Sequence, residues 1–178
     1  MTTITSTSGK KLIFRPLNSA DVKTIYQWVK IIEKEDTFIL LNYHEPNSLK
    51  DEQKFLTSTI KDVKAKKQIF IGVFDKHKYV GSCGIEKLGK RQGHVGRFGI
   101  VLLKPYRGEG IGFKLASYVI QLAQEKLKLK QITLKCFANN QVGQSLYKKL
   151  GFKQCGIHPR SILYQGKYID EILFYKDL

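Results

Sequence analysis

The chain has 178 residues, of which 42% are hydrophobic and 26% charged, and this composition excludes a largely disordered or collagen-like protein. One folded domain is the expectation for this length. Lys and Arg number 31 against 15 Asp and Glu, which gives a net charge of +16. Such a charge attracts nucleic acid, acidic lipid, phosphorylated cofactors or acidic substrates, without choosing among them. The excess is mostly lysine, which is more typical of a solvated surface than of arginine-based phosphate recognition.

Cysteine and histidine usage indicates a reducing compartment and no metal site. The three cysteines form no CxxC pair, and the four histidines are scattered along the chain. The sequence opens on a polar stretch, and no apolar run approaches the roughly 20 residues that span a bilayer. We therefore expect a soluble, cytoplasmic protein without membrane association. Residues 1–9 are expected to form a flexible tail, and residues 10–178 a single domain.

Hydrophobic periodicity and turn signals predict about seven strands and four helices. In chain order these are strand Leu12–Phe14, helices Asn18–Glu35 and Ser48–Lys67, strands Ile69–Phe74, Tyr79–Ile85 and His94–Leu103, helix Gly110–Lys128, strand Gln131–Phe137, helix Gln141–Leu150, and strands Phe152–Ile157 and Tyr168–Tyr175. This order predicts an α+β fold with a mixed sheet. The strand–helix–strand unit from His94 to Phe137 is expected to be a right-handed parallel crossover.

The segment Arg-Gly-Glu-Gly-Ile-Gly, residues 107–112, lies between a predicted strand and an amphipathic helix. A helix start carries unpaired N–H groups and partial positive charge, and glycines allow close approach of a ligand to the backbone. Arg107 adds a fork for phosphate oxygens. The segment therefore predicts an anion site, most naturally for a pyrophosphate, although it matches neither a Walker A loop nor a dinucleotide fingerprint. The alternative is a glycine-rich turn that serves only strand-to-helix packing.

A second motif follows about 30 residues later. Asn140 precedes a short predicted helix that ends in Leu-Tyr-Lys-Lys-Leu-Gly-Phe, residues 146–152. The two motifs, in this order and at this spacing, resemble those of the GCN5-related N-acetyltransferase (GNAT) superfamily. The resemblance is specific over about residues 94–157, and the predicted element order extends it to residues 12–178. It implies a mostly antiparallel, twisted sheet whose central parallel strands, His94–Leu103 and Gln131–Phe137, splay apart.

The resemblance also implies that acetyl-CoA lies in the cleft between the splayed strands. The backbone of three strand residues would pair with the pantetheine arm, and six turn residues would hold the pyrophosphate: Ile100, Val101 and Leu102, followed by Arg107, Gly108, Glu109, Gly110, Ile111 and Gly112. Asn140 would contact the pantetheine or the CoA tail, or else serve only as a helix N-cap. The N–H of Leu102 is the candidate donor to the reaction oxyanion.

Tyr147 matches the family tyrosine that protonates the departing CoA thiolate, a general-acid role. The alternative is an aromatic side chain that packs on the short helix. The acidic residue of the usual family pattern falls here at Arg97, which cannot act as a base. Glu86 and His94 are the candidates for a base, and Arg97 is a candidate to bind a carboxylate or phosphate of the acceptor. The aromatic segment Phe38–Tyr43 either lines the acceptor pocket or packs in the core.

These features predict an acetyl-CoA-dependent N-acetyltransferase, which uses acetyl-CoA as a co-substrate and no metal. The acceptor would be a primary amine on a small molecule, an amino acid or a peptide N-terminus, attacking directly in a ternary complex. The alternative is a basic GNAT-fold module that binds RNA or ribosomes and has little or no activity. The sequence leaves open whether the protein is a monomer or a homodimer.

Overall fold

The computed structural model describes residues 1–35, 37–39 and 48–178. Among these residues it contains eight strands and four helices. They are β1 (Thr2–Thr5), β2 (Lys11–Arg15), α1 (Val22–Lys34), α2 (Leu49–Lys64), β3 (Gln68–Asp75), β4 (Lys78–Lys87), β5 (Val95–Leu102), α3 (Ile111–Leu127), β6 (Gln131–Phe137), α4 (Gln141–Lys149), β7 (Lys153–Tyr164) and β8 (Lys167–Asp177).

The strands form one sheet in the order β1-β2-β3-β4-β5-β6-β8-β7. Only β5 and β6 are parallel neighbours, and every other neighbouring pair is antiparallel. The predicted mixed, mostly antiparallel sheet with four helices is therefore confirmed. The sheet has eight strands rather than about seven.

The additional strand lies within the segment that the sequence predicts to be a loose tail. Thr2–Thr5 pairs with β2, from Thr2 opposite Phe14 to Thr5 opposite Lys11. The run Thr-Thr-Ile-Thr consists of β-branched residues, which favour a strand once a partner edge is present. The expectation of a flexible tail is therefore wrong for these residues.

Strand β7 runs seven residues further than its prediction, to Tyr164. The predicted strand ends at Ile157, whereas the observed strand continues through Pro159. Strand β7 lies at the edge of the sheet, where proline is tolerated. Its pairing with β8 also shifts register between His158 and Ile162.

The expected splay lies between β5 and β6. These strands pair only at their beginnings, through Val95 with Gln131, Gly96 with Ile132 and Arg97 with Thr133. Beyond this point β5 stays on β4 as far as Leu102, and β6 stays on β8 as far as Phe137. The sheet is therefore open between the second halves of its two parallel strands.

Three helices pack on the strands that lie on the β5 side of this opening. α1 and α2 pack on each other and against β4 and β3, whereas α3 packs against β3, β4 and β5. Trp28 anchors α1, with its ring 5.4 Å from that of Tyr79 in a T-shaped contact. A capping box starts α2, since the N–H of Asp51 donates to Ser48 Oγ at 3.2 Å.

Of the three cysteines, Cys83 and Cys136 are buried. Cys155 is exposed, because it lies on the edge strand β7 beside a register shift. Within the described ranges no helix is both long and apolar enough to cross a membrane.

Candidate active site

Two cavities meet at the opening in the sheet. The first, with a volume of about 920 Å³, is lined by the glycine-rich turn and by the starts of α3 and α4; we call it the α3–α4 cavity. The second, of about 660 Å³, lies between the sheet and the first two helices; we call it the α1–α2 cavity. Five residues line both: Phe38, Ile39, Ile100, Val101 and Tyr147. Molecules bound in the two cavities would therefore meet at Tyr147 and the end of β5.

The free edge of β5 presents backbone groups to the opening. The hydrogen bonds from Leu88 N–H to Val95 O and from Leu103 N–H to Val80 O, both 2.9 Å, lie at the two ends of the β4–β5 ladder. Backbone groups alternate in direction along an antiparallel strand, so the N–H and C=O of Ile100 point away from β4 and into the opening. Ile100, Val101 and Leu102 all line the α3–α4 cavity, as the predicted pantetheine site requires.

The glycine-rich turn leaves the start of α3 uncapped. Gly108 and Gly110 have φ angles of +74° and +72°, in the left-handed region that favours glycine. Gly110 is the N-cap of α3 and supplies no side-chain cap, whereas Ser48 and Asn140 cap α2 and α4. The first N–H groups of α3 are therefore available to an anion at the positive end of the helix dipole.

Arg107 is held by the protein itself. Its Nε donates to Leu102 O at 2.7 Å, and its guanidinium forms an ion pair with Glu35 at 2.5 Å. Glu35 also accepts the N–H of Lys104 at 3.0 Å. The sequence predicts that Arg107 binds phosphate. In the structure its side chain instead links the turn to β5 and to the end of α1. The backbone N–H groups of the turn and of the start of α3 are then the donors available to an anion.

Glu109 connects the turn to the N-terminal segment. Its carboxylate accepts the N–H of Ser8 at 2.9 Å, and its carbonyl accepts the N–H of Thr7 at 3.2 Å. The hydrogen bonds from Ser8 lower the pKa of Glu109. Thr7 lines the α3–α4 cavity beside Gly110. Sequence reasoning missed this contribution, because a polar, proline-free stretch at a chain end carries no motif.

Asn140 serves as the N-cap of α4, the alternative that the sequence left open. Its Oδ1 accepts the N–H of Gly143 at 2.9 Å, and the residue also lines the α3–α4 cavity. A Cβ on Gly143 would lie 2.6 Å from Asn140 Nδ2, so the glycine is needed for this cap. The predicted contact of Asn140 with CoA stays a prediction.

Tyr147 is packed in an aromatic cluster at the junction of the two cavities. Its ring contacts those of Phe98, Phe152 and Phe174, with centroids 6.0–6.1 Å apart. The side chain is buried, and burial raises the pKa of Tyr147 well above its usual value. The phenol therefore keeps its proton at neutral pH. Its hydroxyl makes no hydrogen bond with another residue that the structure describes, which leaves this proton free for a ligand.

The floor of the α1–α2 cavity is formed by three residue pairs that face each other across β4 and β5. They are Ser82 with Val101, Gly84 with Gly99, and Glu86 with Arg97. Directly opposed residues of an antiparallel pair project to the same face of a sheet. A Cβ on Gly99 would meet no atom within 4 Å, so this glycine leaves open space at the centre of the floor.

Two candidates that the sequence treats separately are partners in the structure. Glu86 and Arg97 form an exposed ion pair at 2.5 Å at the margin of the α1–α2 cavity. Each group is therefore already engaged before an acceptor binds. His94, the other candidate base, is wrongly placed. It precedes β5 at the end where the strands are still paired, is exposed, and lines neither cavity.

Sequence reasoning missed four charged residues of the α1–α2 cavity, Asp51, Glu52, Lys135 and Glu171. Lys135 and the buried Glu171 form an ion pair at 2.8 Å across β6 and β8. Glu52 of α2 is buried, and desolvation, followed by the nearby Glu33 and Asp51, raises its pKa. A signal for Glu52 was present, since it falls four residues before Leu56 on the apolar stripe of the helix.

Phe38 lines both cavities and stacks edge-on against Phe137, with centroids 5.8 Å apart. This contact supports the expectation that the aromatic segment reaches the site, although residues 40–43 of the segment lie outside the described residues. Within the described part of the chain, no group of three or more His, Cys, Asp or Glu residues could hold a metal ion.

Comparison with known proteins identifies the fold and the family. The family model of the acetyltransferase (GNAT) domain matches residues 11–153. The L-amino acid N-acetyltransferase AaaT of Escherichia coli K12 is 30% identical over 80 residues, which cover 45% of this chain and 49% of that protein. The match thus spans about half the length of the curated relative.

Solved structures match over nearly the whole chain. A GNAT-family acetyltransferase from Streptococcus pneumoniae superposes with a TM-score of 0.83 at 26% identity, over 94% of this chain and 99% of the other. The ribosomal-protein-S5-alanine acetyltransferase of Vibrio fischeri superposes with a TM-score of 0.84 at 21% identity, over 93% and 92% of the two chains. Together with the match over residues 11–153, these similarities show that the chain belongs to the GNAT acetyltransferase family.

Proposed function

We propose that the protein transfers an acetyl group from acetyl-CoA directly to a primary amine, with both substrates bound at once. The observation that carries this proposal is the junction of the two cavities at Tyr147 and the free edge of β5. One cavity suits an anionic cofactor and the other an amine. Their common wall is where the thioester and the amine would meet.

The charges that line the α3–α4 cavity support its assignment to acetyl-CoA. Its described lining contains Lys149 and Arg107, the second of which is paired with Glu35, and no carboxylate side chain. The pyrophosphate would accept hydrogen bonds from the first N–H groups of α3. The pantetheine arm would then lie along the backbone of Ile100 and Leu102, with the thioester beside Tyr147.

The residues at the junction supply the two functions that thioester aminolysis needs. Attack by the amine forms the C–N bond and moves charge onto the carbonyl oxygen, which an N–H on the β5 edge, such as that of Leu102, would stabilise. Breaking the C–S bond then releases a thiolate. Tyr147 would give that sulfur a proton, and burial supports this role because it keeps the phenol protonated.

The acceptor belongs in the α1–α2 cavity, whose open floor at Gly99 leaves room beside the junction. The amine is carried by a small molecule, an amino acid or a peptide N-terminus. The two named relatives act on different acceptors, an amino acid and a ribosomal-protein alanine, and so do not choose among these classes.

Substitution of Tyr147 by Phe tests the proposal. Acetyl-CoA at 100 times its Kd should stabilise both proteins by about 2.7 kcal/mol, because Phe preserves the aromatic packing. Thiol release with a panel of amines should fall roughly 100-fold or more in the variant, the usual size of a general-acid contribution. Tyr118→Phe is the matched control, since Tyr118 packs on Phe14 and lines neither cavity. A wild-type protein that acetyl-CoA does not stabilise would contradict the assignment of the cofactor.

A further inference from the structure

Glu52 differs from the other carboxylates of the α1–α2 cavity. Three of the four that line it have partners: Asp51 binds Ser48 in the helix cap, Glu86 binds Arg97, and Glu171 binds Lys135. The side chain of Glu52 has neither an ion pair nor a hydrogen bond to any residue that the structure describes. It is nevertheless only 6% exposed.

The surroundings of Glu52 are unfavourable for its charge. The same cavity is lined by the aromatic rings of Trp28, Phe55, Phe70 and Tyr79, which give little solvation. The titratable groups that act on it are Glu33 from α1, Asp51 from α2 and Tyr79 from β4, and none of them is a cation. Desolvation and the two neighbouring carboxylates raise its pKa.

A buried carboxylate without a partner costs folding free energy, because its charge loses water and gains nothing in return. A cation supplied by a ligand would remove this cost. An amine acceptor at neutral pH arrives as an ammonium ion and must lose a proton before it can attack a thioester. Glu52 therefore has the charge, the burial and the proton affinity that this acceptor requires.

We propose, on the basis of the acetyl transfer proposed above, that Glu52 receives the acceptor ammonium and is its proton acceptor. One N–H bond of the ammonium breaks, its proton passes to a carboxylate oxygen of Glu52, and its electron pair stays on nitrogen. The neutral amine attacks the thioester carbon, and the C–S bond breaks as Tyr147 protonates sulfur. The second amine proton returns to the Tyr147 phenolate, and Glu52 then releases its proton to solvent, so that the cycle closes without any further reactant.

The kinetics of Glu52→Gln against pH test the assignment. At neutral pH the variant should lose about 100-fold or more in kcat/KM for the amine, the usual scale of general-base catalysis. The acidic limb that ionisation of Glu52 imposes on the wild-type profile should disappear. In the variant the residual rate should instead rise by about tenfold per pH unit up to the amine's own pKa, in proportion to the free amine. Asp62→Asn, a carboxylate of the same helix that does not line the cavity, should leave the rate and the profile unchanged.

Stability measurements distinguish a loss of rate from a loss of fold. Because the folded state raises the pKa of Glu52, the folded protein binds this proton more tightly than the unfolded chain. The contribution of Glu52 to the free energy of unfolding of the wild type is therefore lost as pH rises from the ordinary glutamate range through the raised pKa. Glu52→Gln removes the buried charge, so at neutral pH it should unfold at the same temperature or higher, with acetyl-CoA binding unchanged.

The outcomes separate this inference from the proposed function. A wild-type protein that acetylates amines, with Glu52→Gln equally active and the acidic limb retained, would overturn the role of Glu52 alone. That role would also be overturned if Glu86→Gln, rather than Glu52→Gln, removed the limb. Failure of the wild type to release thiol with any amine would contradict the proposed function, and the role of Glu52 with it.

Discussion

Gly99 shows how a single residue can define the acceptor cavity. It faces Gly84 across the β4–β5 ladder, and no atom lies within 4 Å of where its Cβ would be. A larger side chain would extend into the α1–α2 cavity without disturbing the sheet. Isoleucine also suits a strand.

Gly99→Ile should therefore raise the KM for the amine by about tenfold or more while the KM for acetyl-CoA stays the same. Gly89→Ile is the matched control, since Gly89 is likewise open and extended but lines neither cavity. Steady-state kinetics with each substrate varied would distinguish the two variants. Equal amine KM values for both would show that the acceptor does not occupy this floor.

For individual residues, the sequence predicts where a side chain lies better than it predicts which other side chains it contacts. Tyr147, Asn140 and the glycines at 108, 110 and 112 all line the α3–α4 cavity, because motif spacing fixes where residues fall around a turn and on a helix. The ion pair of Arg107 with Glu35 joins residues 72 positions apart, and that of Arg97 with Glu86 joins facing strands. Contacts of this kind depend on how the elements pack, which spacing along the chain does not reveal.

The residues after the N-terminal strand β1 contact the glycine-rich turn, a role that the sequence did not indicate. β1 adds to the edge of the sheet, and the residues after it lie on the glycine-rich turn. Thr7 and Ser8 bond to Glu109, and Lys114 Nζ of α3 donates to Thr5 O at 2.8 Å. The N-terminal segment thereby holds the turn in which the pyrophosphate is expected to bind.

Glu109→Ala should loosen this segment and raise the KM for acetyl-CoA by up to about fivefold, the scale of a solvent-exposed interaction. Since Ser8 lowers the pKa of Glu109, the wild-type contact should persist at neutral pH and be lost only as pH falls below the usual glutamate range. In Glu109→Ala, the amide hydrogens of Thr7 and Ser8 should exchange faster with solvent than in the wild type. Glu125→Ala, which removes an exposed acid bonded only to Gln121 of its own helix, is the control. Unchanged exchange and KM in Glu109→Ala would refute the contact's role.

The element order was largely predictable, because apolar residues three or four positions apart mark α1, α2 and α3, and turn residues separate the central strands. The exceptions are the two edges of the sheet. β1 is only four residues long and has the polar composition of a tail, and β7 passes through Pro159. Edge strands have only one partner, so their residues carry weaker hydrophobic patterns.

The whole molecule has a net charge of +16, but the two cavities differ in the charges of the side chains that line them. Among the charged side chains of its described lining, the α3–α4 cavity has Lys149 and the Glu35-paired Arg107, whereas four carboxylates and two cations line the α1–α2 cavity. The proposed anionic cofactor and cationic acceptor would therefore meet complementary charges in the two cavities. Most of the lysine excess lies outside both cavities, which keeps the alternative of a basic module that binds RNA or ribosomes open to a salt-dependent binding assay.

The proposed transfer requires acetyl-CoA and the amine to occupy their two cavities at the same time. Initial rates of thiol release, measured with both substrates varied, test this requirement. Direct transfer in a ternary complex predicts double-reciprocal lines that intersect. Parallel lines, which indicate an acetylated enzyme intermediate, would contradict the account.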